Sequence, residues 1–219
     1  MAGVGDGGQG PGPRLRERPR QQRSREKVDR VLRATAELLD AHPYEEIGTK
    51  LIAERAGVSV GVLYRYFPDK DAIAETLVRA WQERNVELVA EICARPPAGG
   101  TAALFERLLD GFAQRFRTEP GYRRLWRPGA PRLPGLAGLD SATNARISAL
   151  IHRALVDAYG LPDTETARRQ VALVVEVADF LLGRAFWDTP EGDAVMLRDA
   201  VELIDGYLAP LATSPAPAS

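Results

Sequence analysis

Residues 49–70, TKLIAERAGVSVGVLYRYFPDK, constrain the fold more than any other stretch of the chain. Ala53 and Ala56 are small where two short helices must cross closely. Gly57 stands where a helix C-terminus calls for a left-handed residue, and Ser59 where the next helix calls for a cap. Ile52, Val58, Leu63 and Phe67 supply a compact apolar core beneath that corner. Two short helices joined by a tight turn form a helix-turn-helix, whose second helix typically enters a DNA major groove.

The rest of the chain reads as helix throughout. A first helix is predicted over 24–41, with Val28, Val31, Leu32, Thr35, Leu38 and Leu39 on one face and Pro43 as its stop. Asp69 caps a long helix that runs to about residue 94, ahead of Arg95-Pro96-Pro97. Further helices are expected over 101–117, capped by Thr101, and over 140–159, 163–187 and 192–208, with a short helical turn at 121–127. RPGAPRLPGLAG, residues 127–138, is too rich in Pro and Gly for regular structure. No segment alternates with strand period for long enough to argue for a sheet. The expected class is all-α: a disordered Gly-rich and Arg-rich arm (1–23), a helix-turn-helix head (24–70), a helical body (71–210) and a disordered tail (211–219).

Charge divides along the same line. Residues 1–70 carry 13 basic against 10 acidic side chains, and the remainder 16 against 20, within a net charge of −1. A basic head on an acidic body suits a DNA-binding part joined to one that does not bind DNA. The arm, with Arg at 14, 16, 18, 20, 23 and 25, is either a solvated tail or a strand that follows phosphates and the minor groove. No apolar run reaches the roughly 20 residues that span a bilayer, and no secretory signal is visible, so a cytoplasmic protein without membrane contact is expected. Cys93 is the single cysteine, read as a small buried hydrophobe, and His42 and His152 share no metal-like spacing with it. No metal or cofactor is expected.

On a helix turning about 100° per residue, Leu63 and Phe67 face inward while Gly61 and Arg65 face outward. Val60 and Tyr64 flank the outer face on one edge, Val62 and Tyr66 on the other. Gly61 admits the backbone close to the bases, the valines suit thymine methyls, and Arg65 is the one long polar side chain able to reach guanine edges. Tyr64 and Tyr66 are matched to phosphates, with an aromatic lid over the core as the other reading.

AGVS, LYRYF and the Lys three residues after Phe67 together resemble the N-terminal domain of the TetR family of bacterial transcriptional regulators. That resemblance implies DNA contacts at Thr49, Lys50, Ser59, Val60, Gly61, Tyr64, Arg65, Tyr66 and Lys70. Thr49 would cap the first helix of the corner and meet a phosphate. Ser59 could serve only as a cap. Lys70, at the start of the long helix, would meet a phosphate with the helix dipole behind it.

The body offers two further readings. Val174, Ala178, Leu181 and Ala185 repeat with 4-3-4 spacing, as do Leu197, Val201, Ile204 and Leu208, so two such helices per subunit could build a four-helix dimer interface. The other possibility is packing within one chain. The opposite face of residues 163–187 carries Ala172, Glu176, Asp179, Phe180, Gly183 and Trp187, and carboxylates there must be solvated, paired or facing a cavity. TetR-like bodies enclose a small-molecule cavity, and Phe105, Phe112, Tyr122, Trp126 and Asn144 are candidate companions to Glu176, Asp179 and Phe180; plain core is the alternative.

The expectation is a homodimeric repressor of a palindromic double-stranded DNA operator, released by an unknown small-molecule effector. A ligand-independent or partner-gated regulator, or an activator, is the second reading. An enzyme using Glu176 and Asp179 is a remote third, since no nucleophile, metal cluster or phosphate loop accompanies them.

Overall fold

The computed structural model describes residues 22–125 and 136–213, and every regular element among them is helical. The arm up to residue 21, Trp126 and most of the Pro/Gly-rich segment, and the last six residues lie outside the described residues.

The head opens with α1 (Gln22–Ala41), which buries Val28, Val31, Thr35, Leu38 and Leu39 as the periodicity predicts. After Pro43 a 3-10 turn (Tyr44–Glu46) leads into α2 (Thr49–Ala56). Gly57 ends α2 at φ 63°, and its N–H closes onto the carbonyls of Ala53 and Glu54, so the chain reverses within a left-handed residue. Ser59 then caps α3 (Val60–Tyr66), its hydroxyl accepting from the Val62 N–H at 3.2 Å. Ile47, Ile52, Ala53, Leu63 and Phe67 are at most 1% exposed beneath this corner. Full burial of side chains such as Leu63 and Phe67 contributes about 2–3 kcal/mol each.

Asp69 caps α4 (Lys70–Ala94) by accepting from the Ala72 N–H at 2.7 Å. At ~1.5 Å per residue this helix is a rod nearly 40 Å long. It packs on α1 at its start and on α5 (Gly100–Thr118) and α7 (Leu136–Tyr159) further along. An ion pair between Glu83 and Arg146, at 2.6 Å, joins α4 to α7. Cys93, half-buried against the core, behaves as the small hydrophobe expected, burial pushing its thiol up to about 11.

Three local expectations are corrected. Thr101 does not cap α5: the helix begins at Gly100 after Gly99, and the Thr101 hydroxyl donates instead to Asp205 on α9 (Ala194–Thr213). α7 starts at Leu136, so the last residues of the Pro/Gly-rich segment are helical. α9 runs past residue 210, with Pro210 inside it and Leu211 at 7% exposure, so the tail begins later than expected. α8 (Glu165–Ala185) is capped by Thr164, and it packs between α7 and α9.

The body also grips the head directly, through α6 (Tyr122–Leu125). Gly121, at φ 72°, lies so close to α1 that a Cβ there would sit 2.5 Å from the Ala36 carbonyl oxygen. Its N–H points at the Asp40 carboxylate at 3.4 Å, and Arg124 donates to the Asp40 carbonyl at 3.2 Å. Two paths therefore join the parts: α4 itself, and the α6–α1 contact.

Candidate nucleic-acid interface and effector cavity

Helix α3 presents its outer face to solvent. Gly61 and Arg65 are exposed, Val60 is 37% and Tyr64 41% exposed, and Val62 is half-buried. Nothing lies within van der Waals contact of a Cβ built at Gly61 apart from the Ser59 hydroxyl at 4.0 Å, so that face is open to close approach. Lys50 and Leu51 are exposed beside it on α2.

Three candidate contacts sit differently from expectation. Thr49 is the first residue of α2 rather than its cap, a place taken by Gly48 with no side-chain hydrogen bond. Its hydroxyl instead pairs with the Tyr64 hydroxyl at 3.0 Å, which holds both groups on one exposed edge. Tyr66 is only 3% exposed, and of its two readings the aromatic lid is the one this geometry supports. The Lys70 ammonium is drawn back onto the head, donating to the Tyr44 carbonyl at 3.0 Å and lying 4.4 Å from the centre of the Tyr44 ring. Tyr44 is fixed in turn by its hydroxyl, which donates to Asp71; burial and that carboxylate push its ionisation far up.

In the body, α4, α5, α6, α7 and α8 enclose a cavity of about 60 Å³. Of the candidates, Phe105, Phe112, Tyr122, Asn144 and Asp179 line it. Glu176 and Phe180 do not: Glu176 is exposed at the rim, accepting from the Asn144 amide at 3.2 Å, and Phe180 is 69% exposed on the far side of α8. Trp126 lies outside the described residues. The cavity has a polar wall that the body's sequence alone did not point to, formed by Gln82 and Asn85 of α4 and Asp140 of α7. Two buried amide side chains at i, i+3 on an otherwise apolar stripe of α4 were the available sign.

These polar groups are unevenly satisfied. The Asn85 amide donates to the Tyr122 hydroxyl at 2.9 Å, and the Tyr122 ring stands edge-on to Trp81 and Phe116 at 5.3 and 5.0 Å between centres. Burial pushes the Tyr122 hydroxyl up to about 12. Gln82 donates to Asp140 at 2.6 Å, yet burial still raises that carboxyl, helped by the charge of Glu176. Burial pushes Asp179 up to about 6, and the Asp140 and Glu176 charges act in the same direction. Among the described residues no group of three or more His, Cys, Asp or Glu could hold a metal ion, and no helix is long and apolar enough to cross a membrane.

Residues 31–77 match the profile of the bacterial regulatory proteins, tetR family, and residues 102–208 that of a tetracyclin repressor-like C-terminal domain. The chain belongs to the TetR family. It is 28% identical to the HTH-type transcriptional repressor KstR of Rhodococcus jostii over 181 residues, 82% of this chain and 81% of that protein. The nucleoid occlusion factor SlmA of Alteromonas mediterranea is 32% identical over 124 residues, 56% of this chain and 60% of that protein. A crystal structure of a TetR-family transcriptional regulator from Streptomyces coelicolor superposes with a TM-score of 0.66 at 29% identity, covering 84% of this chain and 99% of that one. This TetR-family chain is thus a DNA-binding transcriptional regulator and not an enzyme.

The expected subunit seam of this regulator is occupied within the chain. Val174, Ala185, Ile204 and Leu208 are at most 3% exposed in the core, Ala178 lines the cavity, and Leu181, Leu197 and Val201 are partly buried against the core. The exposed apolar residues stand one position earlier. Leu173 is 50% exposed and Phe180 69% on α8, with Val177 half-buried between them. On α9, Leu203 is 56% and Tyr207 40% exposed, with Met196 half-buried on the same side. One residue is a rotation of about 100°, enough to turn a seam from the neighbouring helix to the outside.

Proposed function

We propose that two copies of this regulator pair through the outer face of α8 and α9, bind a palindromic operator, and repress transcription until a small molecule in the cavity releases the DNA. The observation that carries this reading is the course of α4. Lys70 at one end abuts the helix-turn-helix, while Gln82 and Asn85 form part of the cavity wall. A ligand that displaces those amides tilts α4, and through Tyr122 it disturbs the α6 grip on α1. For release to follow, the ligand must prefer the arrangement whose two heads no longer match successive major grooves. Those grooves recur every 34–36 Å or so on one face of the duplex. The name of the Rhodococcus relative supports repression as the sign of regulation.

Within each head, Arg65 and Lys50 read bases, Val60 and Gly61 approach thymine methyls closely, and the Thr49–Tyr64 hydroxyl pair and Ser59 anchor phosphates. Lys70 adds its charge to the phosphate field from behind the Tyr44 turn.

Gel shifts on the intergenic DNA beside the regulator's own gene, with bulk DNA as competitor, test the core reading. A retarded complex that survives excess random DNA is expected, and complete competition would overturn it. The small size of the cavity, about 60 Å³, favours one rival: a ligand-independent regulator, repressor or activator, whose body only dimerises. Unchanged DNA affinity across a chemically diverse ligand panel would select that rival.

A further inference from the structure

The cavity is lined by two carboxylates, Asp179 and Asp140, and by no Arg, Lys or His among the described residues. Its neutral polar groups are largely engaged already. Asn85 and Tyr122 bond to each other, and the Gln82 amide is spent on Asp140. Asp179 differs: among the described residues it accepts no hydrogen bond and forms no ion pair, although it stands in a largely apolar wall. A carboxylate without a partner in such a place is costly, and the cost is offset when a complementary charge arrives. The remaining walls are apolar, mostly Leu, Ile and Val side chains, with Phe105, Phe112 and the Tyr122 ring around the same space. Ring faces attract cations and offer nothing to anions.

We propose that the effector is a small organic cation, an amine whose ammonium group donates to the Asp179 carboxylate while its apolar part lies among the phenyl rings. This assignment rests on the ligand-released reading above and names its ligand class. An anion would meet two like charges and, among the described lining residues, no basic partner, the nearby Arg115 over the Tyr122 ring being already paired with Glu119. A neutral hydroxyl compound would hydrogen-bond to Asp179 but leave its charge uncompensated. The volume of about 60 Å³ is roughly that of two molecules of liquid water, so a larger ligand enters only if a wall moves. An ammonium head with a compact apolar group is therefore the scale of ligand that enters, with the half-buried Phe112 as the ring that gives way.

Three shape-matched probes test this on the full-length protein: benzylammonium, benzyl alcohol and benzoate. Thermal unfolding reads binding, and gel shift on the operator fragment reads release. Benzylammonium should raise the midpoint in a saturable way and bind about tenfold or more tightly than benzyl alcohol, with benzoate inert. Asp179→Asn should reduce that preference to about twofold or less while melting at or above the wild type, which a purely structural aspartate would not do. Asp140→Asn, at the lining carboxylate already bonded to Gln82, provides a second variant with a smaller loss in the same direction. Equal or tighter binding of the alcohol or the benzoate, or binding of none of the three, overturns the cation assignment. The release assay separates the two readings. A neutral or anionic probe that frees the DNA keeps ligand gating and removes the cation. A cation that binds at Asp179 but leaves the DNA complex intact keeps the cation and removes gating.

Discussion

A carboxyl raised by burial, as that of Asp179 is, should destabilise the fold once it ionises, and the sign of that effect can be checked by pH. Its folded-state value of about 6 lies above its ordinary 3.8, with Asp140, Glu176 and the Tyr122 hydroxyl as the ionisable groups facing it from α7, α8 and α6. Below the ordinary value the carboxyl is protonated in both folded and unfolded chains, and the cost vanishes. As pH rises from there towards 6 the unfolded chain ionises first, so the cost grows, and it is fully present above 6. Asp179→Asn should therefore melt above the wild type at pH 8 and converge with it at pH 4. The gap corresponds to at most about 3 kcal/mol, or several degrees for a chain of this size. A gap that stayed constant across thermal melts at pH 4, 6 and 8 would show that Asp179 is not penalised by its charge. On the DNA side, Tyr64→Ala removes a proposed phosphate anchor and should weaken binding to specific and random DNA alike by about tenfold. Arg65→Ala should relax discrimination at one or two base pairs, by about 1–3 kcal/mol each. Equal losses on both kinds of DNA in fluorescence anisotropy titrations would remove Arg65 from base reading.

Elements were legible wherever a terminus announced itself chemically. Gly57, Ser59 and Asp69 each do in the structure what their residue types dictate, because a left-handed turn and an orphaned helix N–H have few solutions. Thr49 and Thr101 show the limit. Both are good caps by type, but each hydroxyl found a partner distant in sequence, Tyr64 and Asp205, that no local pattern contains. The cavity was half legible for the same reason: aromatic positions on α5 could be read from periodicity, whereas Gln82 and Asn85 join it only because α4 crosses the body. The α6–α1 contact was not legible at all, since it depends on Gly121 meeting α1 some eighty residues earlier in the chain. It is nonetheless exacting. Gly121→Ala places a methyl against the Ala36 carbonyl and the Leu39 Cβ, at 2.5 and 2.8 Å, on a residue already at φ 72°. The variant should lose about 1–3 kcal/mol in chemical unfolding. It should also bind operator less sensitively to ligand, because one of the two links between cavity and head has been loosened. Wild-type stability together with a wild-type ligand response would exclude that link.

At the scale of the whole molecule, the heptad spacing on α8 and α9 described a real seam but not its partner. Spacing alone is blind to whether a stripe meets a helix of the same chain or of another copy, and here the two stripes lie side by side. Val174 and Ile204 hold the chain together, while Leu173, Phe180, Leu203 and Tyr207 remain exposed. Opposite outcomes follow from charges placed one helix face apart. Val174→Glu buries an unpaired carboxylate in the core and should unfold the protein or cost it several kcal/mol. Phe180→Glu and Leu203→Glu alter side chains that are 69% and 56% exposed in the single chain, and each should leave the subunit folded. In a symmetric four-helix interface, however, each is repeated in the facing copy, so that like charges meet across the two-fold axis. Sedimentation should then report a folded monomer. Affinity for a full palindrome should fall by about a hundredfold or more, towards that of a single half-site, because one head alone covers too few base pairs. A dimer that persists in both variants would place the subunit contact elsewhere on the body, and the spacing of the two heads would have to be derived from that other surface.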